Sequence, residues 1–330
     1  MNIVFRLDAT QSVGIGHLMR SLALSEELTR RGNVCYFYSK IDDEQLIKKI
    51  QNAKGKFQKD EDNLINFSKE KNIDWIITDH YEINSEYIKE LKNNCFKILS
   101  IDDTAQIHYY SDIVVNQNIG AENLDFSAEK YTKFLLGSKY AMVRDDLLKR
   151  NKKTVNKDVK NILITIGGTN PDNFILKILK ILEKINKDVK LLVISGPYNP
   201  FYKDLEEYTK ESKLKIELIK SPKDMSKIYL DSDLAISAGG TTCYELAYFG
   251  IPNIIITVAE NQKKIAEELD KQNVSIYVGE KETLKENIFK EKIHELINNY
   301  SLRKKISNNG EELVDGKGKV RIVDFMERLN

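Results

Sequence analysis

The chain has 330 residues, and its 51 Lys and Arg residues nearly balance 50 Asp and Glu residues. This length predicts two domains of ordinary size, and the near-zero net charge excludes a global field that would favour nucleic acid or an acidic membrane. The three scattered cysteines, the lack of a signal-peptide pattern and the lack of an apolar run near the roughly 20 residues that span a bilayer predict a cytoplasmic protein without a membrane partner.

Short apolar runs alternate with helical patterns through the first half of the chain. Residues 2–8 predict a strand, and apolar residues recur at helical spacing over 18–28. Further strands, each ending in polar residues, are predicted at 34–40, 74–81, 96–103 and 112–118. This alternation is typical of a parallel sheet that helices cover on both faces.

The charged segment 147–161 contains few apolar residues and predicts a linker between domains 1–150 and 151–330. After it, four strand-then-loop units are predicted at 161–170, 190–199, 233–242 and 252–262, and helices at 173–186, 201–212, 243–249 and 262–272. The tail from 283 to 330 is helical in pattern and has no motif. We therefore expect an α/β protein of two Rossmann-like, doubly wound domains that face a cleft, with ligands beyond the carboxyl ends of the strands.

The first such loop carries Gly14, Gly16 and His17. The third glycine of a dinucleotide fingerprint is replaced by Met19, and the second predicted strand lacks the acidic residue that would hold a ribose, so we expect no nicotinamide or flavin cofactor. The glycines still allow a bulky anion to approach a helix N-terminus. A neutral His17 there could act as a general base or orient water, or it could simply cap the loop.

The stretch 237–252, SAGGTTCYELAYFGIP, is the most specific in the chain. Gly239 and Gly240 form the turn after a strand, and Thr241 and Thr242 open a helix, so that backbone amides and hydroxyls could hold a diphosphate. Glu245 follows on the same helix and could accept ribose hydroxyls, or it could be a surface acid. Residues 166–170, IGGTN, form a second candidate loop with Gly168 and Thr169.

Polar residues also end two predicted strands of the first half. Asp79, His80 and Tyr81 follow one strand; Tyr81 could hydrogen-bond a sugar or its phosphate, and Asp79 or His80 could simply fix the loop geometry. Asp102 and Asp103 follow another, but no third ligand stands at a recognisable spacing, so we favour structural hydrogen bonds and expect no metal site. Residues 259–262, AENQ, supply an amide pair suited to sugar hydroxyls.

Residues 221–262 resemble the nucleotide-binding half of GT-B-type UDP-sugar enzymes, including the lipid-II-forming N-acetylglucosaminyltransferase. Five motifs indicate a particular family within this group, and they are GIGHLMR at 14–20, TDHY at 78–81, IDD at 101–103, GGT at 167–169 and ENQ at 260–262. In this order they are similar to the UDP-2,4-diacetamido-2,4,6-trideoxy-β-L-altropyranose hydrolases of pseudaminic acid biosynthesis and their SpsG-like relatives. The match extends from residue 1 to about residue 275.

The resemblance implies a metal-independent, inverting hydrolase without a cofactor, in which His17 acts on the water that attacks the anomeric carbon. It implies that Tyr81 and Asn261 join His17, and that Glu245 meets the ribose of UDP. The other matched positions are implied to bind the diphosphate or the sugar: Gly14, Gly16, Arg20, Gly168, Thr169, Gly239, Gly240, Thr241, Thr242 and Gln262.

Three alternatives remain open at the level of sequence. A glycosyltransferase of the same architecture would use His17 on an acceptor hydroxyl, although no exposed apolar, basic-flanked run for a lipid acceptor is present. A UDP-sugar 2-epimerase would carry several acidic residues and more than the four histidines of this chain. A non-enzymatic sugar-nucleotide sensor would need the nucleotide loops but not His17. In each case the expected partner is a small UDP-sugar, and we expect a monomer.

Overall fold

The computed structural model describes residues 1–9, 16–60, 63–149, 153–168, 170–185, 188–196, 199–222 and 224–329. The chain forms two compact units. Unit 1 comprises Met1–Asp145 and Gly316–Asn330, and unit 2 comprises Asp146–Asp315. The linker predicted at 147–161 lies at the start of unit 2, and its residues 150–152 fall outside the described ranges.

Unit 1 is built on a parallel sheet. Its strands are β1 Asn2–Leu7, β2 Val34–Ser39, β3 Lys56–Lys59, β4 Trp75–Asp79, β5 Lys97–Ile101, β6 His108–Tyr109, β7 Ile113–Asn116, β8 Ser127–Ala128 and β9 Lys133–Leu136. Its helices are α1 Gly16–Arg30, α2 Glu44–Asn52, α3 Leu64–Glu70, α4 Ser85–Asn93 and α13 Gly318–Arg328, with α5 Asp145–Leu148 at the junction of the units. Among the described residues the main sheet has the order β3-β2-β1-β4-β5-β7-β9, and β6 pairs with β8 apart from it.

The strand order of unit 1 reverses direction beside β1. Phe5 of β1 pairs with Phe37 on one side and with Ile77 of β4 on the other. Because parallel crossovers are right-handed, α1 and α2 cover one face of the sheet and α3 and α4 cover the opposite face. Such a reversal opens a crevice at the carboxyl ends of the two central strands, which is where ligands bind in open α/β sheets.

Unit 2 repeats this plan with a six-stranded sheet of order β12-β11-β10-β13-β14-β15 among its described residues. Its strands are β10 Asn161–Thr165, β11 Lys190–Ser195, β12 Lys215–Lys220, β13 Leu234–Ser237, β14 Asn253–Thr257 and β15 Ile276–Glu280. Its helices are α6 Phe174–Glu183, α7 Tyr202–Glu211, α8 Met225–Asp231, α9 Thr242–Tyr248, α10 Lys263–Lys271, α11 Glu286–Asn298 and α12 Tyr300–Leu313. The direction reverses between β10 and β13, which pair from Ile162 with Leu234 to Thr165 with Ser237.

The central strands are buried on both faces, which explains their nearly continuous apolar sequences. In unit 1, Leu64 and Ile88 of the helices pack against Val4, Ile76 and Ile98 of the strands. In unit 2, Phe174 and Ile178 pack with Ile164, Val193 and the other apolar strand residues. The predicted parallel α/β class is thus confirmed for both units.

The structure differs from the sequence-based expectation at the sheet edges and at the C-terminal end. Strands β3, β9, β12 and β15 were not predicted; all four lie at the edges of their sheets, and the sequences of β3 and β12, KFQK and KIELIK, begin and end with lysine. Residues 316–329 were assigned to the second domain, but they belong to unit 1. There α13 packs on α1, and buried Lys319 pairs with Asp145.

Within the described ranges, no helix combines the length and the apolarity that crossing a membrane requires.

Candidate active site and nucleotide loops

The histidine of the first loop lies in the crevice of unit 1. Helix α1 begins at Gly16, directly after the loop that leaves β1, and His17 occupies its first turn with 6% of its surface exposed. Gly14 lies outside the described residues. The neighbouring strand β4 ends at Asp79, which is 1% exposed. The reversal of strand order therefore brings the start of α1 next to the end of β4.

His17 and Asp79 form a buried dyad. Nδ1 of His17 lies 2.5 Å from Oδ1 of Asp79. An ionised carboxylate can only accept, so Nδ1 carries the hydrogen and Nε2 is the nitrogen left to take up a proton. Among the described residues, no hydrogen bond is made to Nε2. The pair has the orienting geometry that a general-base histidine needs.

Arg20, one turn along α1 from His17, fixes the dyad. Its Nε donates to Oδ2 of Asp79 at 2.8 Å, and its Nη2 donates to Oδ1 at 2.5 Å. Its Nη1 donates to both oxygens of Asp103 at 2.8 Å. The guanidinium is 5% exposed and joins the ends of β4 and β5 to α1. Ser21 adds a hydrogen bond to Oδ2 of Asp79 at 3.1 Å.

The electrostatics of the cluster keep Asp79 ionised. Burial by itself would raise the pKa of Asp79, but the charges of Arg20 and His17 and their hydrogen bonds hold it well below its usual range. Burial likewise would lower the pKa of Arg20, yet Asp103 and Asp79 raise it well above its ordinary value. The carboxylate thus remains an acceptor for Nδ1 of His17 across the physiological range.

Tyr81 and Asn118 complete the cluster. The Tyr81 ring meets the His17 ring edge to face, with centroids 4.6 Å apart, and its hydroxyl donates to Oδ2 of Asp103 at 3.3 Å. Asn118, just beyond β7, donates to Oδ1 of Asp103 at 2.8 Å. Tyr81 is 48% exposed, so it presents an aromatic face beside an otherwise buried polar cluster.

The remaining polar residues at these strand ends support the loops. Asp102 accepts from the backbone N–H groups of Thr104 and Ala105, which is the structural role that the sequence analysis favoured. His80 points away from His17, with Nε2 3.3 Å from Asp8 and Nδ1 accepting from the N–H of Glu82 at 3.1 Å. Asp103, in contrast, belongs to the dyad cluster.

In unit 2 the glycine loops follow adjacent strands. The loop of Gly168 follows β10, and the loop of Gly239 and Gly240 follows β13, its neighbour at the reversal of strand order. The N–H of Ala238 donates to the carbonyl of Thr165 at 3.3 Å and ties the two loops at their base. Both loops therefore line the position where an open α/β sheet binds ligands.

Gln262 holds the β13 loop from the next strand end. Its Oε1 accepts from the N–H of Gly239 at 3.3 Å and from the N–H of Val258 at 3.0 Å. A Cβ on Gly239 would come within 2.9 Å of Cβ of Gln262, so the close approach needs glycine there. Gln262 thus shapes the loop, in addition to any contact with a sugar that the resemblance implies.

The next three residues of the loop have backbone N–H groups that could donate hydrogen bonds to a ligand. Among the described residues, no acceptor is present for the backbone N–H groups of Gly240, Thr241 and Thr242. A Cβ on Gly240 would meet nothing within 4 Å, so open space lies in front of this loop. Behind it, Cys243 donates to the carbonyl of Ala238 at 3.2 Å. A rigid loop with unpaired N–H groups is suited to phosphate oxygens.

Gly168 packs against a glycine of the adjacent strand end. A Cβ on Gly196, after β11, would lie 2.4 Å from both Cα and O of Gly168. Gly167 has φ +82°, which favours glycine. Thr169 lies outside the described residues.

Glu245 and Asn261 are the last candidates in unit 2. Oε2 of Glu245 accepts from the hydroxyl of buried Tyr229 at 2.5 Å, which orients the carboxylate on α9. Asn261 is exposed in the one-turn helix Glu260–Gln262, before α10. His17 and Tyr81, the other two candidates for the chemistry, belong to unit 1.

Sequence reasoning missed three residues of the cluster. Asp79 was assigned at most a loop-fixing role, Asp103 a structural one, and Asn118 no role. Their common signal is a polar residue at or just beyond the end of a buried strand, as in TDHY, SIDD and VVNQN. Among the described residues, no group of three or more His, Cys, Asp or Glu side chains is arranged to hold a metal ion.

Comparisons with known proteins identify the fold. The glycosyltransferase family 28 C-terminal domain matches residues 161–320, which is most of unit 2. The structure of MurG from Acinetobacter baumannii superposes with a TM-score of 0.72 at 13% identity, over 99% of this chain and 100% of that one. The chain therefore has the GT-B fold, in agreement with the predicted class.

Sequence relatives match most or all of the chain. SpsG of Bacillus subtilis, a spore coat polysaccharide biosynthesis protein, is 25% identical over 100% of this chain and 98% of its own length. The UDP-2,4-diacetamido-2,4,6-trideoxy-β-L-altropyranose hydrolase of Campylobacter jejuni is 26% identical over 84% of this chain and 98% of its own. The protein MJ1062 of Methanocaldococcus jannaschii is 30% identical over 100% of this chain, which spans 66% of that protein. The chain is thus similar over most of its length to SpsG and to the UDP-diacetamido-trideoxy-altropyranose hydrolases, as its motifs predicted.

Proposed function

We propose that this protein is a UDP-sugar hydrolase that releases UDP from a UDP-diacetamido-trideoxyhexose, in the biosynthesis of a pseudaminic-type acid or a surface polysaccharide. The observation that carries the proposal is the buried His17–Asp79 dyad, held by Arg20 at the reversal of strand order. The hydrolase named among the relatives acts on such a substrate, and its sequence aligns over 98% of its length.

In the proposed reaction, His17 is the general base. Nε2 takes a proton from water while the water oxygen forms a bond to the anomeric carbon. The bond from that carbon to the diphosphate oxygen breaks, its electron pair leaves with UDP, and the anomeric centre inverts. Diphosphate is a good leaving group, so this chemistry needs one base and anion stabilisation, without the carboxylate pair of a glycosidase.

The charge of the cluster supports this role. Arg20 carries one positive charge against the two negative charges of Asp79 and Asp103, so the cluster has one net negative charge while His17 is neutral. Protonation of His17 during the reaction neutralises the cluster. Asp79 holds Nδ1 as the donor and stabilises the imidazolium that forms.

Unit 2 is proposed to bind the UDP portion. The N–H groups of Gly240, Thr241 and Thr242 would meet the diphosphate, and Glu245 would accept ribose hydroxyls. Gly14, Gly16, Gly168 and Thr169 are proposed to add backbone contacts to the substrate, and Tyr81 and Asn261 to contact the sugar. The match of residues 161–320 to a glycosyltransferase domain supports a nucleotide-sugar site in this unit.

A panel of UDP-diacetamido sugars in ¹⁸O-labelled water tests the proposal. Label is expected in the free sugar and not in UDP, because water attacks carbon. His17→Asn is expected to lower turnover roughly 10²–10⁴-fold, the usual worth of a positioned base, with UDP affinity nearly unchanged. Label in the terminal phosphate of UDP, or an active His17→Asn variant, would contradict the assignment.

A glycosyltransferase is the second candidate, and the family 28 domain and the likeness to MurG favour it. In that case Nε2 of His17 would take the proton of an acceptor hydroxyl. UDP release that depends on an added acceptor, with no free sugar formed in its absence, would select the transferase.

A further inference from the structure

Unit 1 has a second concave site, on the sheet face opposite α1. A cavity of about 340 Å³ opens where the N-terminal ends of α3 and α4 meet the carboxyl ends of β1 and β4. Its volume lies within the roughly 300–1,000 Å³ of small-molecule sites. Asn63 and Asn84, whose side chains cap α3 and α4, are part of its wall.

The cavity shares a loop with the dyad. At the end of β4 and in the segment that follows it, Asp79 and Tyr81 contact the His17 cluster, whereas His80 and Glu82 line the cavity. His80 is held between Asp8 and the N–H of Glu82. The two sites are therefore separate but have the same loop as a common wall.

The charges of the wall define what can bind. Among the described residues that line the cavity, Asp60, Glu82 and Glu90 are acidic, and Arg6, which is 9% exposed, is the balancing cation. Arg6 is already engaged, with Nη1 2.9 Å from Asp8 and Nη2 3.1 Å from Asp60. Burial lowers the pKa of His80, so its imidazole adds no positive charge at neutral pH. The described part of the wall is therefore negative overall and disfavours a phosphate or a carboxylate.

The other groups of the wall are of the kinds that bind sugar hydroxyls. Carboxylates accept hydroxyl hydrogens, the amides of Asn63 and Asn84 can donate and accept, and Tyr87 supplies a ring among the apolar residues Leu64 and Ile83. A few polar groups set in a partly apolar concave wall are typical of a specific small-molecule site. We propose that this cavity binds a hydroxyl-rich sugar without negative charge, separately from the reaction at His17.

Three sugars with the same ring and different charges test this inference by ligand-observed NMR. D-Glucosamine and N-acetyl-D-glucosamine are expected to bind with dissociation constants on the order of 1 mM, and N-acetyl-D-glucosamine 6-phosphate much more weakly. Failure of both uncharged and cationic sugars to bind at about tenfold that concentration would overturn the inference. Tightest binding by the phosphate ester would do so as well.

Variants locate the binding. Removing two exposed charges in Glu82→Gln/Glu90→Gln is expected to weaken glucosamine binding about fivefold. The matched control is Glu86→Gln, which lies on α4 like Glu90 but outside the cavity. It is expected to leave binding unchanged. His17→Asn is also expected to leave it unchanged. Loss of binding in His17→Asn, or an equal loss in Glu86→Gln, would overturn the inference without bearing on the hydrolase, which the labelled-water experiment tests.

Discussion

At the scale of single residues, the dyad depends on which nitrogen of His17 holds the hydrogen. Asp79 fixes this by accepting from Nδ1, and Arg20 keeps Asp79 ionised. An amide at position 79 could present its own hydrogen atoms to the ring and leave the wrong nitrogen free. The base role proposed for His17 therefore depends on both of these residues.

We expect Asp79→Asn to lower kcat roughly 10²–10⁴-fold, because a general base of the wrong tautomer cannot take up the proton. UDP affinity should change little, because Asp79 belongs to unit 1. Steady-state kinetics and calorimetric titration with UDP measure the two quantities.

Ser21→Ala is the control for Asp79→Asn, because it disturbs the same carboxylate more mildly. It removes only the longest of the hydrogen bonds to Asp79, which a neutral hydroxyl donates at 3.1 Å, and should cost less than about tenfold in kcat. Equal losses in the two variants would show that packing, and not the tautomer, controls activity.

We expect Glu245→Gln to weaken UDP binding by about 1–3 kcal/mol, because a buried ribose hydroxyl would lose its charged acceptor. Tyr229→Phe keeps the carboxylate but removes the hydroxyl that orients it at 2.5 Å. Calorimetry should place the Tyr229→Phe affinity between those of the parent protein and Glu245→Gln. Parent-like UDP affinity of Glu245→Gln would identify Glu245 as a surface acid.

At the scale of elements, the loops of unit 2 depend on close backbone packing. Gly196→Ala places a Cβ 2.4 Å from the backbone of Gly168, so one loop must move. We expect a loss of about 1–3 kcal/mol in the free energy of unfolding, the range for overpacking, together with weaker UDP binding.

Gly240→Ala gives the complementary result, since a Cβ there meets no atom within 4 Å. Its free energy of unfolding should stay within about 1 kcal/mol of the parent value, the usual size of a Gly-to-Ala effect at a compatible site. UDP binding should weaken, because the methyl group enters the proposed phosphate space. Denaturant unfolding and calorimetry together test the pair, and a stable Gly196→Ala would contradict the packing argument.

Helix α13 is held on unit 1 by a buried lysine. Lys319 is 1% exposed, and its Nζ donates to Asp145 at 2.6 Å and to Glu26 at 3.4 Å. Lys319→Ala should lower the free energy of unfolding of unit 1 by about 2 kcal/mol, below the cost of breaking a fully buried pair because both acids keep some solvent contact.

Arg328→Ala, at the exposed end of the same helix, is the matched control and should change the free energy of unfolding by less than about 0.5 kcal/mol. Denaturant unfolding measures both variants. A Lys319→Ala variant as stable as Arg328→Ala would mean that apolar packing alone holds α13 in place.

At the scale of the whole molecule, the carboxylates that are paired in the fold make stability depend on pH. Burial would raise the pKa of Asp233, but hydrogen bonds from the N–H groups of Asn161 and Lys160 and from the Lys153 and Asn156 side chains lower it. A lowered pKa contributes stability that is complete above the pKa of the unfolded state, near 3.9, and is lost as pH falls through the folded value.

We therefore expect the free energy of unfolding to decline as pH falls below about 5. Asp233→Asn should flatten the decline in the transition of unit 2, because it removes one of the groups that titrate there. Urea unfolding at a series of pH values, followed by probes in each unit, measures the slopes. An unchanged slope in Asp233→Asn would rule out this carboxylate as a source of the acid sensitivity.

The sequence by itself determined the α/β class and the strand ends at which the candidate site residues lie. The apolar runs, each followed by polar residues, are a record of which residues of a strand are buried and of where that strand ends. That record was enough to select His17, Tyr81 and the glycine loops as candidates. It was not enough for the short edge strands, such as β3 with the sequence KFQK, in which charged residues interrupt the apolar pattern.

Only the tertiary structure decided which strand ends are neighbours. Arg20 meets Asp79 across 59 positions and Asp103 across 83, because the order of parallel strands differs from their order in the chain. The same holds for Gly168 beside Gly196 and for α13, whose residues return to unit 1 from the far end of the chain. Periodicity reports the environment of a residue, whereas partners depend on crossover connections that no local pattern records.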